Sequence, residues 1–120
     1  MALPKHHRLK KNQDFVAVYQ SGLRRTAPHL ILRAWQQQKD PTVQPTRIGI
    51  SISQKVSKRA VIRNRIKRQL RAGCHQLLPQ LLPGWHVVII VRSEALKCDY
   101  SQFLQELKQL LADAEILNGH

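Results

Sequence analysis

Apolar residues alternate with polar ones in parts of this chain and recur at helical spacing in others. Over residues 29–35, Leu30, Leu32 and Ala34 fall in step, which predicts a strand whose other face carries Ile31, Arg33 and Trp35. Residues 47–53 predict a second strand, with Ile48, Ile50 and Ile52 pointing one way and Gly49, Ser51 and Ser53 the other. A face of Gly and Ser adds little packing and leaves room for a group to approach the backbone. Trp85 to Val91 is almost continuously apolar and rich in β-branched residues, the pattern of a strand buried on both faces.

Helical spacing appears elsewhere. Asn12 reads as a cap ahead of Phe15, Val16, Val18 and Tyr19, and Ser21-Gly22 ends this first helix. At about two turns it needs tertiary support. Ser57 reads as the cap of a longer helix from about Lys58 to Leu77, with Pro79 and Pro83-Gly84 closing the region. Asp99 followed by Gln102 has capping-box spacing ahead of Phe103, Leu104, Leu107, Leu110, Leu111 and Ala114. Residues 1–11 are basic and aperiodic and predict an arm, while Pro41 and Pro45 predict an irregular connection from Gln36 to Thr46. The order α-β-β-α-β-α predicts an α+β fold: a single-sheet α/β sandwich with a βαβ crossover carrying the longest helix. The 120 residues predict one domain.

Composition narrows the class. Apolar residues are 42% of the chain, enough for a core and against wholesale disorder. No apolar run exceeds the five residues of Val87 to Val91, where a membrane helix needs about 20. Lys5, Arg8, Lys10 and Lys11 are followed by mixed sequence rather than an apolar stretch, so no export signal is predicted and a cytoplasmic location is expected. There, Cys74 and Cys98 are expected to be reduced thiols.

Charge changes the picture most. The chain has 20 Lys+Arg, 7 Asp+Glu and a net charge of +13. Residues 1–71 hold seventeen of the cations against Asp14 and Asp40; residues 72–120 hold three against five acids. Such a split predicts a polyanion partner for the first part and scaffold duty for the second. An anionic membrane is the weaker candidate, because no basic helix here carries a Trp/Phe/Leu face.

On the predicted helix from Lys58, Ile62, Ile66, Leu70, Gly73 and Leu77 fall within a sector of about 80° that docks on a sheet. Arg63, Asn64, Arg65, Lys67, Arg68 and Arg71 cover most of the remaining arc. Arg63, Lys67 and Arg71 form a like-charge column costing an isolated helix a few tenths of a kcal/mol per pair. No acid lies between Asp40 and Glu94 to relieve it. A merely solvated face interleaves both signs; this one does not. Arg predominates, and its planar fork suits phosphate oxygens and base stacking.

The run Ile62-Arg63-Asn64-Arg65-Ile66-Lys67-Arg68 with Arg71 resembles the signature of the bacterial ribonuclease P protein subunit family. Arg8-Leu9-Lys10-Lys11-Asn12 with Asp14-Phe15 and Tyr19, and Arg47 to Ser53 with Lys55, resemble its opening and the strand before the signature. The likeness spans about residues 5–115. It implies partnership with a catalytic RNA in removing the 5′ leader of precursor tRNA, with Mg2+ bound mainly by that RNA and the chemistry carried there. It implies RNA contact by Arg59, Arg63, Asn64, Arg65, Lys67, Arg68 and Arg71, helped by Arg8, Lys10 and Lys11 of the arm. A leader cleft is implied at Phe15, Tyr19, Ile31, Arg33, Ser51, Ser53 and Lys55. Members often carry an aromatic where Arg33 stands; an arginine can stack on a base too and adds a stronger phosphate component.

The residues alone say less about the aromatics. Phe15 and Tyr19, four apart, share one helix side and fit either base stacking or core packing. No protein-borne catalytic site, protein-bound metal or obligate protein partner is expected. His6, His7, His29, His75, His86 and His120 show no HxxxH spacing, the cysteines no CxxC, and no glycine-rich phosphate loop occurs. The alternatives are a general, ribosome-associated RNA-binding module and, more weakly, a DNA-binding regulator, which would need a short-turn helix pair.

Overall fold

The computed structural model describes residues 3–36 and 45–117. Along the chain lie α1 (Asn12–Ser21), β1 (Leu23–Thr26), β2 (Leu30–Gln36), β3 (Arg47–Ser51), α2 (Ala60–Leu77), β4 (Trp85–Val91) and α3 (Tyr100–Asp113). Single 3-10 turns occupy Lys5–His7, Leu78–Gln80 and Ser93–Lys97. The four strands form one sheet in the order β1-β2-β4-β3. β2 pairs antiparallel with β1 and with β4, whereas β3 runs parallel to β4. A parallel neighbour requires a crossover, and α2 is that crossover. The α+β class and the βαβ unit stand as the sequence predicts.

β4 is central and buried along most of its length. Val87, Ile89 and Val91 join Leu30, Leu32 and Ala34 of β2 and Ile48 of β3 in the main core. Ile66, Leu70 and Leu77 of α2 and Phe103, Leu107, Leu110 and Leu111 of α3 close it from above. On the other face a small cluster of Leu9, Val18 and Val88, with Phe15, Trp35 and Ile90 beside it, packs beneath α1. One face is therefore covered by two long helices and the other by a single helix of ten residues.

Several boundaries differ from the sequence reading. β1 was not predicted: Leu23-Arg24-Arg25-Thr26 is short, polar and mostly exposed. It forms because the turn closed by Ala27 N–H on the Leu30 carbonyl (2.8 Å) folds it back on β2, Leu23 opposite Ala34. Charge on such an edge strand discourages pairing with another chain. Asn12 is the first residue of α1 rather than its cap; Lys11 stands at the cap position without a side-chain bond. α2 starts at Ala60 with Arg59 at the cap position. Ser57 helps from outside, its Oγ accepting the Arg59 N–H and its carbonyl the Arg63 guanidinium. β3 stops at Ser51, so Ser53 lies in the turn that follows.

From residue 3 the arm is docked, not free. Leu3 and Leu9 are buried, and the Leu9 N–H donates to the Ile48 carbonyl at 3.1 Å, extending the sheet past β3. Residues 1 and 2, and residues 37–44 of the connection containing Pro41, lie outside the described residues. The Asp99–Gln102 capping box forms at 2.9 and 3.0 Å. Cys74 and Cys98 are free thiols; burial pushes Cys74 up to about 12 and, with Glu106 and Asp99 adding to it, raises Cys98. No described helix is long and apolar enough to cross a membrane.

Gly22 joins α1 to β1 where the backbone crowds: a Cβ there would press on the carbonyl oxygens of Val18 and Ala34, neither able to swing aside. Gly22→Ala is expected to lower unfolding free energy by about 1–3 kcal/mol, seen as a lower urea midpoint at unchanged slope. An unchanged midpoint would show that this junction is slack.

Candidate nucleic-acid interface

The half-covered sheet face is built from rows that run across strands. Arg33 of β2, Val88 of β4 and Gly49 of β3 lie side by side in one row, and Ile31, Ile90 and Ser51 in the next. α1 lies over the first. Its Val18 is fully buried in the cluster with Val88. Phe15 fills the space that the Gly/Ser strand face leaves, since a Cβ on Gly49 would stand 2.6 Å from the Phe15 Cζ. The group that approaches this backbone is thus the chain's own ring. Phe15 forms a half-buried floor, while Tyr19, one turn on, is 38% exposed.

Arg33 is committed to α1. Its guanidinium carbon sits 5.5 Å from the centre of the Tyr19 ring, and Nη2 donates to the Tyr19 carbonyl at 2.5 Å. Its Nε is shielded from solvent without a hydrogen-bond partner. The pair acts as one unit, with the cation holding the exposed ring from below. The row Ile31, Ile90 and Ser51 remains half-exposed, and Ser53 and Lys55 continue it onto the exposed turn, where the Lys55 N–H donates to the Ser53 Oγ. At the other end His86 is buried beside Trp35, and burial holds its pKa below the ordinary value, with Asp14 opposing and Arg47 assisting.

α2 presents the second surface. Ile66, Leu70, Gly73, Cys74 and Leu77 are buried, so the helix is fixed with its cations outward. Arg59, Asn64, Arg65, Arg68 and Arg71 are exposed; Lys67 is half-buried, as is Arg63, whose Nη1 donates to the Ser57 carbonyl at 2.8 Å. Arg65 reaches the Leu96 carbonyl only at 3.5 Å. Among the described residues the close contacts between basic and acidic side chains are His29–Glu106 and Arg92–Glu94; no cation of α2 is in one. Val61 stands 73% exposed at the N-terminal end of this ridge.

Ridge and trough meet at a cavity of about 340 Å³ lined by Phe15 and Gly49, by Arg8 and Lys10 of the docked segment and by Arg71 of α2. Arg8 is held there by its Nε bond to the Leu3 carbonyl at 2.6 Å. Lys11 is exposed beside the start of α1. Of the residues that the resemblance implies, Arg63 to Arg71 lie on α2 with Arg59 at its cap position, and Phe15, Tyr19, Ile31, Arg33, Ser51, Ser53 and Lys55 lie on α1, β2, β3 and the turn after it. Sequence reasoning missed Ile90, legible from the alternation of Val88 and Ile90 with Val87, Ile89 and Val91. It also missed Arg24, opposite Arg33 on the undetected β1, and the apolar anchors Leu3 and Leu9.

Apart from Asp14, no carboxylate stands on α1, β2, β3 or α2. Magnesium takes hard oxygen ligands, carboxylates foremost, so this donor set does not fit one. What the surface offers is phosphate binding, stacking and hydrogen bonding to a flexible strand.

The family model described as Ribonuclease P matches residues 3–115. The chain is 57% identical to the "Ribonuclease P protein component" of Cyanothece sp., over 98% of this chain and 99% of that one. To the protein of the same description from Microcystis aeruginosa it is 52% identical over the whole of both. Among solved structures, the Staphylococcus aureus RNase P protein superposes with a TM-score of 0.82 at 28% identity, over 93% of this chain and 98% of that one. The Thermotoga maritima RNase P protein shares the fold, with a TM-score of 0.76 at 24% identity over 88% and 96%.

The Phe15–Gly49 contact that sets the cleft floor can be tested by a double-mutant cycle. Gly49→Val is expected to cost about 1–3 kcal/mol in the wild-type background and clearly less when Phe15→Ala has removed the ring. Equal costs in both backgrounds, by urea unfolding, would mean that Phe15 does not rest on β3.

Proposed function

The chain belongs to the ribonuclease P protein family, and from that footing we propose that it binds the catalytic RNA of ribonuclease P through the ridge of α2. The trough between α1 and the open sheet face then guides the single-stranded 5′ leader of precursor tRNA. The observation that carries this reading is the junction of the two surfaces: a helix of unpaired cations beside a half-covered sheet face, meeting where Phe15, Arg8 and Arg71 line one cavity.

The division of labour follows from the side chains. Arg65, Arg68 and Arg71 present exposed guanidinium groups whose repulsion a polyanion relieves, so much of the affinity comes from counterion release. Tyr19, steadied by Arg33, offers a stacking plane that accepts any base, which suits leaders of differing sequence. Ser51 and Ser53 offer hydroxyls, and Lys55 a cation, along the path. Hydrolysis of the phosphodiester is assigned to the RNA with its magnesium ions; the protein's own residues bind and orient. The protein is thus a subunit of an endonuclease without being the seat of its chemistry. The other reading, a general RNA-binding module, rests on the same ridge but leaves the trough without a task.

Reconstitution separates them. At low magnesium, the protein with its catalytic RNA is expected to cleave leader-bearing tRNA at least about tenfold faster than the RNA alone. Arg65→Ala with Arg68→Ala is expected to reduce that gain and to lower the slope of log affinity against log salt by about 1.5, given about 0.7–0.9 per phosphate contact. No gain over the RNA alone would leave only the general RNA-binding reading; an unchanged slope would remove α2 from the contact surface.

A further inference from the structure

Three side chains used by neither ridge nor trough converge where the turn between β1 and β2 meets α3. His29 lies in that turn, Cys98 just before α3, and Glu106 within it. One ligand atom from each lies within 4.8 Å of the other two. The His29 Nδ1 is 2.5 Å from the Glu106 Oε2, and the His29 backbone N–H donates to Oε1 at 3.0 Å. Cys98 is 7% and Glu106 9% exposed, so thiol and carboxylate are largely withdrawn from water while the imidazole edge reaches it. His29 and Glu106 are 77 residues apart, which is why no local spacing reveals the group.

The chemistry of the set is specific. Imidazole nitrogen, thiolate sulfur and carboxylate oxygen together match the donors of zinc sites, whereas magnesium and calcium prefer oxygen alone. The chain is strongly cationic overall, but two of the three ligands, Cys98 and Glu106, come from its acidic part: Asp99 adjoins Cys98, and Arg92, which ties the turn through the His29 and Ala27 carbonyls, lies 3.7 Å from Glu94.

We propose that His29, Cys98 and Glu106 form a zinc-binding site, with solvent as fourth ligand, that clamps the β1–β2 turn to the start of α3. Binding releases the proton of the Cys98 thiol to solvent and moves the proton of a neutral His29 to Nε2, which leaves the Nδ1 lone pair, the Glu106 carboxylate and the thiolate for the metal. Because the ligands come from three separate segments, the site is complete only in the folded chain, and bound metal stabilises that state. The clamp lies on the α3 side of the sheet and does not depend on the functional reading above.

Cobalt(II) titration of the metal-free full-length protein tests it. One equivalent is expected to produce a thiolate-to-cobalt charge-transfer band, which zinc abolishes by displacement. The band is expected to persist in Cys74→Ala and in the His6→Ala/His7→Ala double variant and to vanish in Cys98→Ala. His29→Gln and Glu106→Gln are expected to weaken binding at least about tenfold. In parallel, zinc at about a hundred times its dissociation constant is expected to raise the wild-type melting temperature by on the order of 10 °C. The wild-type protein decides the matter even if a variant misfolds: absence of the charge-transfer band there overturns the proposal. The same band in folded Cys98→Ala, checked by circular dichroism, overturns it equally.

Discussion

The surface of this protein depends on one constraint, that the central strand β4 is apolar on both faces. A two-sided strand must be covered twice. On one side α2 and α3 do so completely, and the need to bury Ile66, Leu70 and Leu77 leaves α2 no choice about which residues look outward. On the other side α1 has ten residues, enough to cover Val88 but not the row of Ile31, Ile90 and Ser51. Ridge and trough are thus consequences of the same burial requirement, met fully on one face and in part on the other.

Charge follows from that geometry. Unpaired cations along a helix cost the free protein stability through mutual repulsion. The cost is accepted because the buried stripe anchors α2 from beneath, and because the second part of the chain, with more acids than cations, adds β4 and α3 to the core with little like-charge repulsion of its own. Arg33 shows the same logic in miniature. Its guanidinium is held against Tyr19 and the α1 backbone, where it fixes the aromatic ring instead of standing free.

Much of this was legible in the sequence because it is local. Alternation gave β2, β3 and β4; the stripe at Ile62, Ile66 and Leu70 gave α2 and its outward face; Asp99 and Gln102 gave the start of α3. What was not legible arises between distant residues. β1 has no apolar pattern and exists because β2 offers it a partner. The docking of Leu3 and Leu9 depends on the free edge of β3, and Ser57 works two residues away from its expected position. The seat of Phe15 against Gly49 needs both the missing Cβ and the angle of α1, neither visible in a linear pattern. For α2, the helical spacing of Ile62, Ile66 and Leu70 was enough to put its cations on the outward side. For the trough, identity named candidates and only the fold showed which are floor, which are rim and which, like Arg33, are already engaged.

The central claim is that one face of the molecule holds folded RNA while the adjoining trough holds an unpaired strand. Photocrosslinking within the reconstituted complex tests it most directly. A photoreactive nucleotide in the leader is predicted to attach to Tyr19 or to the Ile31, Ile90 and Ser51 row, and one in the catalytic RNA to α2 around Arg65 and Arg68. Leader crosslinks to the exposed side of α3, with Tyr19 and its neighbours untouched, would contradict the account.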